Sequence, residues 1–125
     1  MILIDFNYLD VYSVTQLEEI VTTNIEDKEV SYYYFYSTWD PLANKIANKI
    51  RTQGANSGRG SNIYLIDIFD IPNAIGVMRS VITELKPTIS LADLKFAKIP
   101  QLVCLHKAFP RLVDNNGSLW AELGM

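Results

Sequence analysis

Cysteine and histidine are nearly absent from this sequence, which has one of each among 125 residues. A lone cysteine excludes an internal disulfide, a Cys-based zinc cluster and a dithiol redox pair, and a lone histidine leaves little room for a His-ligated metal site. Long apolar runs are also absent, since none approaches the ~20 residues that a membrane-spanning helix needs. The first residues lack a basic segment and reach Asp5 too early for a signal peptide. We therefore expect a cytoplasmic protein in a reducing compartment.

The chain has no excess of positive charge. It carries 11 Lys and Arg residues against 14 Asp and Glu residues, which gives a formal net charge of −3. Proteins that bind duplex DNA or anionic membranes need a concentrated positive face, so we expect neither partner. The hydrophobic fraction of 49% is too high for a disordered chain, and the length suits one domain spanning residues 1–125.

Hydrophobic periodicity predicts alternating strands and helices. Short β-branched or aromatic runs are typical of buried strands, and apolar residues three or four positions apart are typical of helices. The predicted strands are 2–6, 30–37, 62–69, 101–107 and 118–123, and the predicted helices are 13–24, 40–51 and 75–85. This β-α-β-α-β-α-β-β order predicts an α/β fold with a mainly parallel sheet, covered on both faces and closed by an antiparallel hairpin.

Two helix starts carry capping signals. Ser13 lies three residues before Gln16, which is the spacing of a capping box. Asp40 is suited to cap the next helix, and Pro41 fits the first turn because its fixed φ angle is already helical. These residues predict where the first and second helices begin.

The segment 32–36 consists of five consecutive aromatic residues, YYYFY. In a central strand it would place rings on both faces of the sheet, and its tyrosine hydroxyls would then need hydrogen-bond partners or reach the sheet edge. The alternative is an exposed platform that binds a ligand or stacks the bases of single-stranded nucleic acid. Because the chain is acidic and only Arg51 and Arg59 are nearby, the buried strand is favoured.

Several segments resemble the thioredoxin family. The run 34–38 leading into Trp39 is similar to the family's central strand and its tryptophan, and Asp40-Pro41-Leu42-Ala43 stands where the family has Cys-x-x-Cys. Ile99-Pro100 is similar to the cis-proline segment, and a terminal hairpin with Asn116-Gly117 follows. The resemblance spans nearly the whole chain. It implies a three-layer thioredoxin-like fold in which the Ile99–Pro100 bond is cis, a rare isomer.

The sequence departs from the family pattern in three ways. Asp40 and Ala43 replace both cysteines, so the resemblance implies a member without the redox pair. The interval from Trp39 to the proline is longer than usual. The sequence ends at Met125, which leaves no room for the usual final helix and leaves apolar surface uncovered near Trp120. A variant alignment takes Pro110 as the cis-proline, with residues 112–114 as the following strand.

The family groove implies a function. In the family, the tryptophan loop, the helix start and the cis-proline loop together receive an extended polypeptide. We therefore expect a redox-inactive protein–protein interaction or structural module, not an enzyme, without cofactor or metal. Its expected partner is a protein or a second copy of the chain. Modules of this kind occur as subunits of larger assemblies, such as viral particles or replication complexes. In a viral particle, the chain would lie in the virion. The expected partner-binding residues are Trp39, which should be exposed, Asp40, Pro41, Ile99, Pro100 and Trp120.

Two other constellations offer chemistry. Cys104 and His106 suggest a thiol-dependent oxidoreductase or transferase, but on one strand they lie ~6.5 Å apart, too far for direct contact, so a core cysteine is favoured. Asp40, Asp67 and Asp70 suggest a Mg²⁺ site at the sheet edge. Cap and turn roles for Asp40 and Asp70 are the favoured alternatives.

Overall fold

Six strands and three helices are present in the part of the chain that the computed structural model describes, residues 7–27, 31–56, 63–87, 91, 100–106 and 109–113. The strands are β1 (Asn7–Val11), β2 (Ser31–Tyr36), β3 (Ala55–Asn56), β4 (Ile63–Asp67), β5 (Gln101–His106) and β6 (Phe109–Val113). The helices are α1 (Val14–Asp27), α2 (Pro41–Gln53) and α3 (Ala74–Leu85).

The strands form one mixed sheet in the order β3-β1-β4-β2-β5-β6. The first four strands in this order are parallel, whereas β5 runs antiparallel to β2 and β6 antiparallel to β5. The carboxyl ends of β1, β4 and β2 therefore lie on the same side as the start of β5. We call this side, with the loops that follow β1, β4 and β2 and the residue that precedes β5, the carboxyl edge.

Helices cover both faces of the sheet, as the sequence predicts. One core cluster joins α1 and α3 to one face, and a second joins α2 to the other. Alternate residues of β2 enter the two clusters: Tyr33 and Phe35 face α1 and α3, and Tyr34 and Tyr36 face α2. All four rings are buried, so β2 is the predicted central strand and the exposed stacking platform is wrong.

The buried tyrosine hydroxyls have the partners that the sequence required. The Tyr33 hydroxyl accepts hydrogen bonds from Asn24 Nδ2 at 2.8 Å and from Ser31 Oγ at 3.0 Å. The Tyr34 hydroxyl donates to the Ala43 carbonyl oxygen at 3.1 Å. Burial raises the pKa of both phenols, because the charged phenolate loses its solvation. These bonds tie the central strand to α1 and α2.

Helix positions are confirmed to within a few residues. The capping signals are also confirmed at α1, where Ser13 Oγ accepts from the Gln16 amide at 3.1 Å. The Gln16 side chain reaches back to accept from the Tyr12 amide at 2.8 Å. This reciprocal pair satisfies two amides that a helix start would otherwise leave without partners.

The first strand is β1, at Asn7–Val11, which the sequence prediction missed. The predicted strand 2–6 lies outside the described residues. Segment 7–11 alternates between the two cores: Tyr8 packs on the α2 side, and Leu9 and Val11 pack on the α1 and α3 side. The stronger apolar character of residues 2–6 masked this weaker period-two pattern.

The hairpin strand is also assigned differently from the prediction. In the described residues β5 forms a hairpin with β6, with Leu105 opposite Pro110, and the predicted strand 118–123 lies outside the described residues. A proline inside a run argues against a central strand, but β6 is last in the described sheet, where a missing N–H is tolerated. Pro100 directly precedes β5, which favours Pro100 over Pro110 as the loop proline. The isomer of the Ile99–Pro100 bond stays a prediction, because Ile99 lies outside the described residues.

Candidate functional site

Trp39 lies at the carboxyl edge, between β2 and α2. The Trp39 amide donates to Ser37 Oγ at 3.2 Å, and the Asp40 amide donates to the Ser37 carbonyl at 3.1 Å, which closes a tight turn. Asp40 then caps α2: its Oδ1 accepts from the Leu42 amide at 3.1 Å and from the Ala43 amide at 3.3 Å. Trp39 lies in this turn between the strand and the helix cap, and its side chain is 78% exposed, as predicted.

The predicted start of α2 is confirmed in detail. Pro41 occupies the first turn of the helix, and Asp40 has the extended backbone of a cap residue. The segment Asp40-Pro41-Leu42-Ala43 therefore forms the beginning of α2 at the carboxyl edge, where the resemblance places the family's Cys-x-x-Cys. Neither Asp40 nor Ala43 offers a thiol there.

Phe69 is a site residue that the sequence prediction misses, because the prediction places it at the end of a buried strand. Its ring lies 6.2 Å from the Trp39 ring between centroids, tilted by 42°, and is 63% exposed. Asp67 positions it: Asp67 Oδ1 accepts from the Phe69 amide at 3.0 Å, and the Asp67 carbonyl accepts from the amides of Asp70 and Ile71. The turn residues 70–72, Asp-Ile-Pro, were the sequence signal that the strand ends before Phe69.

Exposed apolar side chains continue along the carboxyl edge on both sides of this pair. Leu42, in the first turn of α2, is 70% exposed, and Tyr12, directly after β1, is 67% exposed. We call Tyr12, Trp39, Leu42 and Phe69 the exposed apolar row. Pro100 stands at the same edge before β5, beside the end of β2. Ile99 and Trp120, the other predicted partner-binding residues, lie outside the described residues.

An ion-pair network on the α2 face anchors the far end of α2. Arg51 Nη2 lies 2.7 Å from Asp10 Oδ1 and donates to the Tyr36 hydroxyl at 2.5 Å, while Arg51 Nη1 donates to Asn48 Oδ1 at 2.7 Å. The hydrogen bond to Asp10 raises the pKa of Arg51 further above its usual range, and burial raises the pKa of Tyr36. The network joins α2 to β1 and β2, so the helix that presents Leu42 is held at both ends.

The two other sequence candidates do not form a reactive site in the described residues. Cys104 is fully buried in β5, which is the favoured core role, and a thiol in apolar surroundings is chemically inert. The His106 side chain lies outside the described part. Over residues 7–27, 31–56, 63–87, 91, 100–106 and 109–113, no three His, Cys, Asp or Glu side chains group as a metal site. The magnesium alternative is wrong for Asp40, Asp67 and Asp70, because the first caps a helix and the second holds a turn.

Among the helices that the structure describes, none is long and apolar enough to span a bilayer.

The fold and site define a class of protein: a three-layer α/β domain whose mixed sheet has an aromatic loop and a helix start at its carboxyl edge. No protein-family model and no curated protein matches the sequence. Among solved structures, a mutant thioredoxin from Halobacterium salinarum NRC-1 is similar, with a TM-score of 0.50 and 14% identity, over 94% of this chain and 86% of that one. Thioredoxin O2 from Arabidopsis thaliana in its oxidized state has a TM-score of 0.46 and 13% identity, over 83% and 77% of the two chains. The chain has the thioredoxin fold.

Proposed function

We propose that this chain is a redox-inactive, thioredoxin-like interaction module that binds an extended segment of a protein partner at the carboxyl edge. The observation that carries the proposal is the exposed ring of Trp39, which is 78% accessible and lies against the ring of Phe69, itself 63% accessible. Large aromatic side chains at the centre of a patch are the usual anchors of protein interfaces. Asp40 and Pro41 directly follow Trp39 in the chain, and Pro100 precedes β5 at the same edge of the sheet.

Exposure of the apolar side chains of this row to water is unfavourable in free energy, and a bound partner would bury them. Scattered apolar residues are normal on protein surfaces, but contiguous apolar patches usually mark binding sites. The Trp39 amide donates to Ser37 Oγ and the Phe69 amide donates to Asp67 Oδ1, so the main chain of both turns is fixed while both rings are exposed. The site is therefore preformed, and little ordering is required when a partner binds.

The proposed module works within a larger assembly, of which a viral particle or a replication complex is the suggested kind. That part of the proposal rests on analogy with other modules of this fold.

We expect no dithiol oxidoreductase activity. A disulfide exchange enzyme needs an accessible thiolate, and neither Asp40 nor Ala43 carries sulfur, while Cys104 is fully buried. In an insulin-reduction assay, the protein should give the turbidity trace of the buffer control. Turnover near that of an ordinary thioredoxin contradicts the proposal, and a Cys104→Ala variant shows whether the lone thiol is responsible.

Binding should depend on Trp39 and not on exposed apolar surface in general. A random peptide display library is selected on the purified protein, and the enriched peptides are measured on variants. Trp39→Ala should weaken their binding by about 30-fold, which corresponds to the ~2 kcal/mol of an interface anchor. Its free energy of unfolding should change by less than about 0.5 kcal/mol, because the side chain is exposed.

Leu85→Ala is the matched control for this experiment. Leu85 is also an exposed apolar residue, but it ends α3, which begins at the carboxyl edge and runs to the opposite side of the sheet. This variant should bind the peptides like the unmodified protein. Peptides that bind Trp39→Ala with unchanged affinity would place the site elsewhere and overturn the proposal, as would a library from which nothing is enriched.

A further inference from the structure

We propose that the segment bound at the carboxyl edge is basic, with Lys or Arg side chains alternating with apolar ones in an extended conformation. This inference rests on the function proposed above and names the chemistry of the partner. Its basis is the pairing of apolar rings with carboxylates along an elongated edge.

The shape of the edge favours an extended occupant. Tyr12, Phe69 and Trp39 follow β1, β4 and β2, which are successive neighbours in the sheet, and Pro100 precedes the next neighbour, β5. Four strands at ~4.8 Å spacing give a row about 14 Å long. An extended chain rises ~3.3 Å per residue, so a segment of about four or five residues covers this row.

In the described loops of this edge, the charges are of one sign. In residues 12–13, 37–40, 68–73 and 100 of these loops, the side chains that carry charge at neutral pH are Asp40 and Asp70, and no Lys, Arg or His occurs. Asp40 adjoins Trp39, and Asp70 adjoins Phe69, so each exposed ring has a carboxylate next to it in the chain. A lysine or arginine placed here gains both an ion pair and the electrostatic attraction of an aromatic face.

The same charges disfavour a second copy of the chain as the occupant. A two-fold contact through this edge would bring the Asp40 and Asp70 of one copy against those of the other, in a chain with net charge −3. Like charges brought together in an interface oppose association. A basic segment of a different protein avoids that repulsion.

The test uses three capped hexapeptides that alternate leucine with lysine, with serine or with glutamate. Affinities are measured by calorimetry at low and at physiological salt. We expect the lysine peptide to bind about fivefold or more tightly than the serine peptide, the size of two exposed charge contacts, and the glutamate peptide to bind most weakly. The preference should shrink as salt screens the charges.

Removing the two carboxylates should remove the preference. In the double variant Asp40→Asn with Asp70→Asn, the affinities for the lysine and serine peptides should converge, and the cap of α2 is retained because asparagine caps as well as aspartate. The control is Glu26→Gln with Asp27→Asn. These exposed acids end α1, which starts at the carboxyl edge and runs to the opposite side, so the lysine preference should stay unchanged.

The outcomes separate this inference from the proposed function. Equal binding of all three peptides, lost in Trp39→Ala, overturns the basic segment and leaves the interaction site in place. A lysine preference that survives the double variant, or that the control removes, also overturns the inference. Binding of none of the three peptides overturns it as well, and the display experiment with Trp39→Ala then decides the proposed function independently.

Discussion

Replacement of Tyr33 by alanine is expected to lower the free energy of unfolding by about 3–5 kcal/mol. The Tyr33 ring is fully buried at the centre of β2 and stacks on Tyr64, with 5.3 Å between centroids and 18° between planes. Its removal leaves a cavity in the larger core. It also leaves Asn24 Nδ2 and Ser31 Oγ buried without the hydroxyl that accepts their hydrogen bonds, which adds to the cost.

Urea unfolding followed by circular dichroism measures this effect. Tyr33→Phe separates the two contributions, because it keeps the ring and removes the hydroxyl, and it should cost about 1–3 kcal/mol. Tyr12→Ala is the control: the same residue type, 67% exposed, should change stability by less than about 0.5 kcal/mol. A loss below about 1 kcal/mol for Tyr33→Ala would contradict the placement of this ring in the core.

Stability should fall steeply in alkaline solution. Burial raises the pKa of Tyr33, Tyr34 and Tyr36 above the ordinary value of 10.0. Below that pH all three phenols are protonated in both states, so they do not change the free energy of unfolding. Above it the unfolded chain releases protons that the folded chain keeps, and each such tyrosine lowers stability by about 1.4 kcal/mol per pH unit.

Urea midpoints measured from about pH 8 to about pH 11 test this sign. We expect a plateau followed by a decline that begins near the ordinary phenol pKa. Tyr34→Phe should start from a lower stability, since it loses the bond to the Ala43 carbonyl, but its decline should be shallower by one tyrosine. A stability that rises above pH 10.0 would contradict raised pKa values for these buried phenols, and a slope that Tyr34→Phe leaves unchanged would contradict a raised pKa for Tyr34.

Asp40 stabilises the start of α2 without a thiol. Its carboxylate accepts two amide hydrogen bonds at the start of α2, and a negative charge there is also favoured by the helix dipole. A residue type that is useless for disulfide exchange thus stabilises the helix start and the Trp39 turn before it. The carboxyl edge keeps its shape and presents aromatic rings and carboxylates instead of a thiol.

The sequence by itself determined the features that local chemistry controls. Asp40 and Pro41 predicted the start of α2 because capping needs only neighbouring residues. The aromatic run of β2 predicted a strand buried on both faces, and the acidic composition of the chain disfavoured the exposed alternative. The exposure of Trp39 followed from its place between that strand and that cap.

Tertiary structure alone decided the features that join distant residues. The Asp10–Arg51 pair spans 41 positions, and neither residue signals its partner in the sequence. β1 joins the sheet by pairing with β4. Pro110 is tolerated in β6 because β6 lies last in the described sheet, where the missing N–H needs no partner strand. The contact of Phe69 with Trp39 likewise requires β2 and β4 to be neighbours, which the sheet order sets. Burial and pairing are properties of the assembled sheet, and no window of local sequence contains them.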